Sequence, residues 1–528
     1  RQLNQRRLAP HPLERRVERP AFFLPSPAMA SPDPTTNFEP LWRRWPADLD
    51  TPLSTWLKVG HGRPYGVLLE SVEGGEHLGR WSFVASDPLW VLSVRGDQAW
   101  LEHRDGRRET LQGDPFELLR QRLAPYKSAQ IPGLPPVGQL FGFWGYELIN
   151  WVEPSVPVHP RSDDDRPDGC WMFCDTLLVF DQVRRQVTAV AYADHSQNSD
   201  PAAARAAAEG RLDALETQLQ QPLPAGLTPL AWKEQDAQAL KVVSNTTQSA
   251  FEDAVRQARD HIGAGDVFQL VLSQRLEAEV SHDPFDLYRS LRMVNPSPYM
   301  GFFSFNGWHL IGSSPEVMVK ADPQDDGRVV ASLRPIAGTR RRGSTAAEDQ
   351  ALEAELLADP KERAEHVMLV DLGRNDLGRV CQPGSVAVKE LMLIERYSHV
   401  MHIVSQVEGD LQPQHDVWDL LRASFPAGTV SGAPKIRAMQ LIHELEPDAR
   451  GPYSGVYGSM DLCGALNTAI TIRTMVVQPA ENGRWRVQVQ AGAGVVADSQ
   501  PTAEHEETLN KARGMLKALA CLEAAQQP

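Results

Sequence analysis

A strand that leads into a pair of glycines is the feature that most constrains the fold of this chain. Residues 484–490 (RWRVQVQ) alternate polar and apolar side chains, which is the period of a half-buried β-strand. Gly492, Ala493 and Gly494 follow. We expect the strand to end there in a turn, where a backbone without large side chains approaches a bound group. The alternative is an ordinary connection between a strand and a helix.

The helix predicted after these glycines carries an acidic face. Glu504, Glu507 and Lys511 are spaced at i, i+3 and i+7, so they share one side of the helix. An earlier predicted helix places Glu362 and Glu365 on one side in the same way. Mg²⁺ prefers carboxylate ligands, usually one or two from the protein, completed by waters and substrate. The two helices therefore predict a metal–carboxylate site, and solvent-exposed charged faces are the alternative.

Composition restricts the class of protein. The 528 residues are 42% hydrophobic and 23% charged, which is typical of a soluble globular chain with a large core. No apolar run is long enough for a membrane helix, and a net charge of −15 argues against a nucleic-acid surface. The five cysteines include no pair of CxxC motifs. We therefore expect a reduced, cytoplasmic protein without structural zinc.

The first residues differ from the rest of the chain. The first thirty contain six arginines and two glutamates, are rich in proline, and show no periodicity. Met29 is followed by Ala30 and Ser31, a sequence that looks like a translation start. We interpret residues 1–35 as a disordered basic extension, and an over-long gene model would explain it. A transit peptide is the alternative, which the scarcity of serine disfavours.

The remaining chain divides by its patterns into four regions. Residues 36–200 are rich in predicted strands, and residues 201–245 contain an alanine-rich helix and a linker. Residues 246–520 alternate runs of strands with pairs of helices, and residues 521–528 are expected to form a tail. Strand runs interleaved with helix pairs predict an α+β fold with helices on the outer faces.

Several isolated residues suit chemistry on an anionic substrate. Gly338 and Thr339 are expected to form a turn that offers a bare amide and a hydroxyl to an oxyanion. Glu316 follows a predicted strand. His402 lies in an alternating stretch, and its ordinary pKa suits proton transfer near neutrality. A lone histidine on a strand is nevertheless more often structural.

The late strands contain an arginine in apolar surroundings. Arg473 lies within residues 468–477, which we expect to form one strand, with Tyr453 beside it. An unpaired buried arginine is costly, so Arg473 should meet either a substrate carboxylate or an internal glutamate. Residues 425–435 are rich in glycine but lack the G-x-x-x-x-G-K-[ST] spacing, which excludes a nucleotide phosphate loop.

Long motifs in a fixed order resemble the chorismate-utilising enzyme family, and within it component I of the anthranilate synthases. The resemblance is close over residues 245–518 and looser over residues 36–195. The motifs that carry it are PIAGT (335–339), ERAEHVMLVDLGRNDLGRV (362–380), YSHVMHIVS (397–405), FPAGTVSGAPKIRAMQLI (425–442), YSGVYG (453–458), TAITIRT (468–474) and QAGAGVVADSQPTAEHEETLNKA (490–512).

The resemblance implies a fold and a division of labour. It implies two intertwined subdomains that form a β-sandwich core of antiparallel sheets covered by outer helices. Residues 36–200 would be a tryptophan-sensing regulatory domain, and residues 246–520 a chorismate-binding catalytic domain. In the implied reaction, ammonia adds at C2 of chorismate as the C4 hydroxyl leaves. Pyruvate is then eliminated to give anthranilate, which makes the enzyme a carbon–oxygen lyase in tryptophan biosynthesis.

The resemblance also implies roles for individual residues. Mg²⁺ would be bound by Glu365 and Glu507 and act as a Lewis acid. Glu316 would protonate the departing hydroxyl, and His402 would transfer a proton in the elimination. Lys511 would pair with a substrate carboxylate or hold Glu507. The substrate carboxylates would be bound by Gly338, Thr339, Tyr453, Arg473, Gly492, Ala493 and Gly494.

Two positions discriminate between members of the family. Isochorismate and salicylate synthases carry a lysine base where this chain has Gln269, and glutamine cannot deprotonate water, so ammonia is favoured. Aminodeoxychorismate synthases often carry lysine at the position of Ala337. Alanine disfavours that folate-pathway activity, which stays as the alternative. A non-catalytic tryptophan- or chorismate-binding homologue is a second alternative, and the presence of every candidate catalytic residue argues against it.

The resemblance finally implies partners and regulation. No cysteine lies in a G-x-C-x-G turn, so we expect a separate glutamine amidotransferase subunit, anthranilate synthase component II, in a heterotetramer. Residues 68–71 and 295–300 resemble the two segments of a tryptophan feedback pocket, which would be lined by Ser71, Pro298, Tyr299 and Met300. A strand end and a proline turn without a ligand are the alternative.

Overall fold

Two large antiparallel β-sheets form the centre of the protein, as the family resemblance implied. The predicted basic extension at residues 1–35 lies outside the described residues. None of the helices in the described part of the chain is long and apolar enough to cross a membrane. The computed structural model describes residues 36–71, 79–160, 165–196, 200–224, 229–396 and 400–526.

Successive runs of strands belong to one sheet and then to the other along the chain. In chain order they are β1 (Phe38–Pro46), β2 (Tyr65–Glu70), β3 (Trp81–Ser86), β4 (Trp90–Arg95), β5 (Gln98–His103), β6 (Arg108–Leu111), β7 (Leu140–Trp144), β8 (Gly169–Phe173), β9 (Thr176–Asp181), β10 (Gln186–Asp194), β11 (Val243–Ser244), β12 (Gln269–Val280), β13 (Tyr299–Phe305), β14 (Trp308–Ser314), β15 (Val317–Pro323), β16 (Val329–Leu333), β17 (Ile336–Arg341), β18 (Ala387–Arg396), β19 (Val400–Asp410), β20 (Gly432–Ala433), β21 (Val456–Met460), β22 (Leu466–Ile470), β23 (Thr474–Pro479) and β24 (Trp485–Val495).

Most helices begin at an Asp or Thr whose side chain accepts a backbone N–H of the first turn, which satisfies an otherwise unpaired donor. The last helix extends to Gln526, beyond the expected start of a tail. The helices are α1 (Pro52–Val59), α2 (Pro115–Leu123), α3 (Ile149–Val152), α4 (Pro201–Gln220), α5 (Gln248–Ala264), α6 (Pro284–Val294), α7 (Ala346–Ala358), α8 (Pro360–Gly378), α9 (Val417–Ser424), α10 (Lys435–Leu445) and α11 (Pro501–Gln526).

Both sheets contain strands from both ends of the chain. The first sheet has the order β1-β10-β9-β3-β2-β13-β14-β23-β24-β12-β11, with β20 paired to β12. The second has the order β17-β19-β16-β15-β22-β21-β7-β8-β4-β5-β6, with β18 paired to β19. The chain therefore joins its N-terminal and C-terminal strands at β2–β13 in one sheet and at β7–β21 in the other.

The main core lies between the sheets, and a second core lies under the outer helices. Neighbouring residues of one strand enter different cores because successive side chains point to opposite faces. Val67 and Phe303 pack in the core shared by the two sheets, whereas Leu68 and Phe302 pack in the core that contains residues of α4, α6 and α11. The first sheet is therefore covered on both faces.

The expectation of one strand over residues 468–477 is wrong. This stretch contains β22 of the second sheet and β23 of the first sheet, separated at Thr471–Arg473. Arg473 has a φ of 50°, a left-handed conformation that cannot continue a strand. The apolar residues on both sides concealed the break, because each short strand is itself buried.

The two expected glycine turns are also wrong. Gly492 and Gly494 lie inside β24 and pair with Ser273 and Val271 of β12. Gly338 lies in β17, where the register with β19 shifts and its φ is 72°. The glycines of β24 allow side chains to approach the strand backbone closely, and Gly338 lies at a β-bulge. Neither sequence pattern distinguishes these roles from a turn.

We expect Gly142→Ala to destabilise the protein. A Cβ at Gly142 in β7 would lie 2.1 Å from the carbonyl oxygen of Cys170 on the neighbouring strand. The two strands must shift apart to avoid this contact, and the shift should lower the free energy of unfolding by about 1–3 kcal/mol. The control is Gly210→Ala in α4, where a Cβ meets no atom within 4 Å, and the helix should gain about 0.5–1 kcal/mol. Urea unfolding of both variants measures the difference, and equal stability would contradict the expected packing.

Candidate active site

The glycines of β24 form a wall against which the candidate site residues lie. A Cβ at Gly494 would be 2.6 Å from Nε2 of Gln269 and 3.7 Å from Oε1 of Glu365. A Cβ at Gly492 would be 2.5 Å from the hydroxyl of Tyr453. Glycine is needed at both positions because these polar side chains approach the strand backbone. The structure therefore brings the glycine strand, Gln269, Glu365 and Tyr453 together.

Two of the predicted metal ligands lie close to each other and to Lys511. Oε1 of Glu365 accepts a hydrogen bond of 2.9 Å from Nε2 of Gln269. Burial raises the pKa of Glu365, and the nearby carboxylates of Glu362 and Glu507 raise it further. Nζ of Lys511 lies 2.7 Å from Oε1 of Glu507 and donates a 2.9 Å hydrogen bond to the carbonyl of Gly492. Lys511 thus links α11 to β24, the strand that contains Gly492 and Gly494.

The other two acidic residues have different surroundings. Glu504 is buried, which raises its pKa, while a hydrogen bond from Ser499 opposes that rise. Glu362 forms an ion pair of 3.1 Å with Arg340. Within the described residues, no group of three or more His, Cys, Asp and Glu side chains is arranged to hold a metal ion. Any metal here would therefore use few protein ligands.

Glu316 is a buried carboxyl group between β14 and β15. Its side chain is almost entirely enclosed, and burial raises its pKa to about 8. The backbone N–H of Ile336 and the ammonium of Lys511 favour the charged form but do not outweigh burial. Glu316 is therefore mainly protonated near neutral pH, the state required of a proton donor.

His402 lies beside the bulge that contains Gly338. Its Nδ1 is 3.1 Å from the carbonyl oxygen of Gly338 and 3.0 Å from the hydroxyl oxygen of Thr339. Burial lowers the pKa of His402, and the nearby positive charge of Arg473 lowers it further. The imidazole is therefore neutral near pH 7 and can accept a proton.

The break between β22 and β23 leaves Arg473 partly buried. Burial lowers the pKa of Arg473, and nearby Tyr453 and Glu507 favour its charged form. Burial raises the pKa of Tyr453 to about 12, so its hydroxyl stays protonated and can donate a hydrogen bond. Among the described residues, no carboxylate forms an ion pair with Arg473, so its guanidinium suits the carboxylate of a ligand.

Sequence reasoning missed a buried ion pair that supports Tyr453. Arg450 and Glu446 lie 2.6 Å apart, and both side chains are almost fully enclosed. Glu446 also accepts hydrogen bonds from the N–H and hydroxyl of Ser273, and the Arg450 guanidinium lies 5.5 Å from the ring centre of Tyr453. The spacing i, i+4 after α10 was the available signal, but it is shared by many exposed pairs.

A separate cavity of about 260 Å³ lies between the two sheets, near the junction of β2 and β13. The four residues predicted for a feedback pocket all line it: Ser71, Pro298, Tyr299 and Met300. The hydroxyl oxygen of Ser71 is buried and has no hydrogen-bond partner among the described residues. Sequence reasoning missed other wall residues, which include Trp81, Phe83, Lys320, Asp322 and Tyr457.

Most of the chain matches a known protein family. The family model of chorismate binding enzymes matches residues 68–517, which include the glycine strand, the acidic helices and Glu316. The chain belongs to the chorismate binding enzyme family. This membership confirms the resemblance identified from the motifs.

Individual relatives are similar over nearly their full length. The chain is 58% identical to anthranilate synthase component 1 of a Synechocystis species, covering 92% of this chain and 97% of that protein. It is 44% identical to anthranilate synthase component 1 of Pseudomonas putida, covering 90% and 94%. The crystal structure of anthranilate synthase component I from Streptococcus pneumoniae matches with a TM-score of 0.72 and 37% identity, covering 83% and 92%.

A more distant structure shares only the fold. The menaquinone-specific isochorismate synthase of Escherichia coli matches with a TM-score of 0.66 at 17% identity, covering 92% of this chain and 95% of that chain. The fold of this chain is thus shared with a protein of much lower sequence similarity.

We expect the carboxyl group of Glu316 to titrate near pH 8. Burial disfavours its charged form, so the protonated form should persist well above the ordinary value of 4.5. Infrared difference spectroscopy of the carboxyl stretch against pH measures this titration, and Glu316→Gln assigns the band by removing it. A Glu316 band that titrates between pH 4 and 5 would contradict the effect of burial.

Proposed function

We propose that this chain is the large subunit of an anthranilate synthase. It would convert chorismate to anthranilate and pyruvate with ammonia from a glutaminase partner, the first step of tryptophan biosynthesis. The proposal is supported by the similarity to anthranilate synthase component 1 of other organisms, which reaches 58% identity for the Synechocystis protein. The single structural observation that carries it is the position of Gln269.

Gln269 suits ammonia better than water as the nucleophile. Its Nε2 donates to Glu365, and its buried Oε1 has no hydrogen-bond donor among the described residues. That oxygen can accept an N–H of ammonia and orient its lone pair toward the substrate. The amide has no basic lone pair with which to activate water, and ammonia needs no such activation.

The residues present fit Mg²⁺ with few protein ligands. Burial raises the pKa of Glu365, and the nearby carboxylates of Glu362 and Glu507 raise it further, so the charged form of Glu365 is disfavoured. A divalent cation relieves this repulsion, and Mg²⁺ commonly takes one or two protein carboxylates with waters and substrate. Glu365 and Glu507 would hold it, and it would supply Lewis-acid stabilisation of the ring carboxylate.

The chain's own residues would carry the proton transfers. Glu316 would give its proton to the C4 hydroxyl, which otherwise leaves poorly as hydroxide. Neutral His402 would accept the proton that is lost in the elimination of pyruvate. Arg473 and Tyr453 would bind substrate carboxylates. If Glu507 turned away from the ammonium of Lys511, that ammonium would pair with a substrate carboxylate.

The folate-pathway alternative is not favoured. The relatives compared are named anthranilate synthase component 1, and position 337 is alanine rather than the lysine found in many aminodeoxychorismate synthases. The name component 1 implies a second component, and we propose a glutamine amidotransferase subunit in a heterotetramer. With free ammonium, the large subunit alone should be active.

A direct assay tests the proposed function. The purified chain is incubated with chorismate, ammonium and Mg²⁺, and anthranilate is detected by its fluorescence. Anthranilate formation supports the proposal. Accumulation of aminodeoxychorismate, revealed as p-aminobenzoate when a lyase is added, would replace it with the folate-pathway activity. Absence of turnover with retained tryptophan binding would identify a binding protein.

We further propose that tryptophan binds in the cavity between the sheets and inhibits the enzyme. The cavity combines aromatic walls with the Ser71 hydroxyl, which has no hydrogen-bond partner in the described part of the chain, and with the side chains of Lys320 and Asp322. Aromatic walls suit an indole ring, and charged groups suit the zwitterionic head of a free amino acid. The cavity volume of about 260 Å³ is close to the lower end of the range for small-molecule pockets, which begins at about 300 Å³.

We expect Glu507→Gln to weaken the binding of Mg²⁺ at the proposed site. The amide keeps the shape of the side chain but removes the charge, so the Mg²⁺ concentration for half-maximal activity should rise at least ~10-fold. The matched control is Glu506→Gln, because Glu506 is exposed one residue earlier on α11. Equal Mg²⁺ dependence of the two variants would remove Glu507 from the ligand set.

We expect Ser71→Ala to weaken inhibition by tryptophan. The substitution removes the buried hydroxyl and with it the proposed hydrogen bond to tryptophan. The tryptophan concentration for half-maximal inhibition should therefore rise about 5–10-fold. Ser155→Ala, at an exposed serine outside the cavity, is the control. Inhibition curves with chorismate and ammonium measure the effect. An unchanged curve for Ser71→Ala would remove Ser71 from the pocket.

A further inference from the structure

A short segment of the chain runs from the cavity between the sheets to the candidate active site. We call residues 312–316 the connecting segment; it comprises the end of β14 and leads to Glu316. On the cavity side, Ser297 donates a 2.9 Å hydrogen bond to the carbonyl of Ser314, and Ser313 bonds to the carbonyl of Asn295. Residues 295–300, which include three cavity-lining residues, are thus fastened to this segment.

The other end of the connecting segment contacts the candidate substrate residues. The backbone N–H of Ser313 donates a 3.0 Å hydrogen bond to the carbonyl of Arg473. The carbonyl of Glu316 accepts a 3.0 Å hydrogen bond from the N–H of Ile470. A shift of the connecting segment would therefore move the proposed proton donor and disturb the strained backbone that holds Arg473.

Tyr457 joins the cavity wall to the connecting segment directly. Its hydroxyl donates a 2.6 Å hydrogen bond to the carbonyl of Tyr299 and accepts one of 3.2 Å from the N–H of Ser314. Its side chain lines the cavity. A Cβ at Gly312 would lie only 2.6 Å from this hydroxyl, so glycine is needed for the tyrosine to reach its position.

The Tyr457 hydroxyl is hydrogen-bonded to two backbone groups, one in the cavity wall and one in the connecting segment. Tyr457 is buried, and burial raises its pKa, so the hydroxyl remains protonated and donates to one partner while accepting from the other. A ligand that moves Tyr299 or the Tyr457 ring must therefore also displace the N–H of Ser314. That N–H is two residues from Glu316.

We propose that the Tyr457 hydroxyl transmits occupancy of the cavity to Glu316 and Arg473 through the connecting segment. It is a positioning residue and contacts neither substrate nor reacting atoms. This inference rests on the proposed function, because it names how tryptophan in the cavity opposes chorismate at the active site. Such opposition requires that each ligand favour a different arrangement of the segment.

Tyr457→Phe tests the inference because it keeps the ring that lines the cavity and removes only the hydroxyl. Calorimetry of the full chain gives the tryptophan Kd with and without chorismate, in the absence of ammonia so that chorismate is not aminated. We expect the factor by which chorismate weakens tryptophan binding to fall about fivefold or more, while the Kd without chorismate changes less than about threefold. Activity at saturating tryptophan should rise correspondingly.

Tyr126→Phe is the matched control, because Tyr126 packs in the core against Phe38 and Phe173 and does not line the cavity. It should leave the coupling unchanged. If Tyr457→Phe does not fold, Ser297→Ala replaces it, since it removes another bond to the connecting segment and should reduce the coupling in the same direction. Wild-type coupling in the folded variant that is tested overturns the inference.

The assay separates failure of the inference from failure of the proposed function. A wild-type chain that forms no anthranilate and binds no tryptophan removes the function on which the inference rests. A wild-type chain that is inhibited by tryptophan, with a Tyr457→Phe variant inhibited to the same extent, overturns the inference alone. A large rise in the tryptophan Kd without chorismate would make Tyr457 a ligand contact and would also overturn it.

Discussion

The buried ion pair between Arg450 and Glu446 is the interaction on which the arrangement of the site depends. Removing two charges from water is costly unless their remaining hydrogen bonds are satisfied, and here they are. Arg450 also donates to the carbonyls of Val271 and Val430, and Glu446 accepts from Ser273. The pair therefore joins β12, the segment before α10 and the loop of Tyr453. Loss of either charge would leave its partner buried and unpaired.

The shared sheets provide a physical route for the proposed regulation, from the cavity to catalytic motifs that lie far from it along the chain. Strand β2 ends at the cavity and pairs with β13, which pairs with β14, and β14 leads directly toward Glu316. A pair of separate domains joined by a linker would need an interface to transmit such a change. Here the backbone hydrogen bonds of one sheet are continuous across the two regions, so their relative movement must be small and cooperative.

Motif reasoning identified the residues of the site better than it identified their local structure. The alternating pattern correctly predicted the strand before Gly492, and the i, i+3 spacing correctly placed carboxylates on α8 and α11. It failed at Gly338 and Arg473, because a bulge and a strand break depend on which sheet each neighbouring residue joins. Arg450 and Tyr457 were missed for a related reason: beyond the i, i+4 pair with Glu446, Arg450 bonds to the carbonyl of Val271, and Tyr457 bonds to the carbonyl of Tyr299, each more than a hundred residues away in sequence.

The resting contact between Lys511 and Glu507 follows from the same crowding that suits a metal. Several carboxylates meet at this end of the site, so a cation must lie among them if they are to remain charged. Lys511 supplies that charge while also bonding to the carbonyl of Gly492. Its second bond would hold the ammonium near β24 if Glu507 turned toward a bound Mg²⁺. Lys511 would then lack its carboxylate partner beside the same wall, where a substrate carboxylate would find a cationic partner.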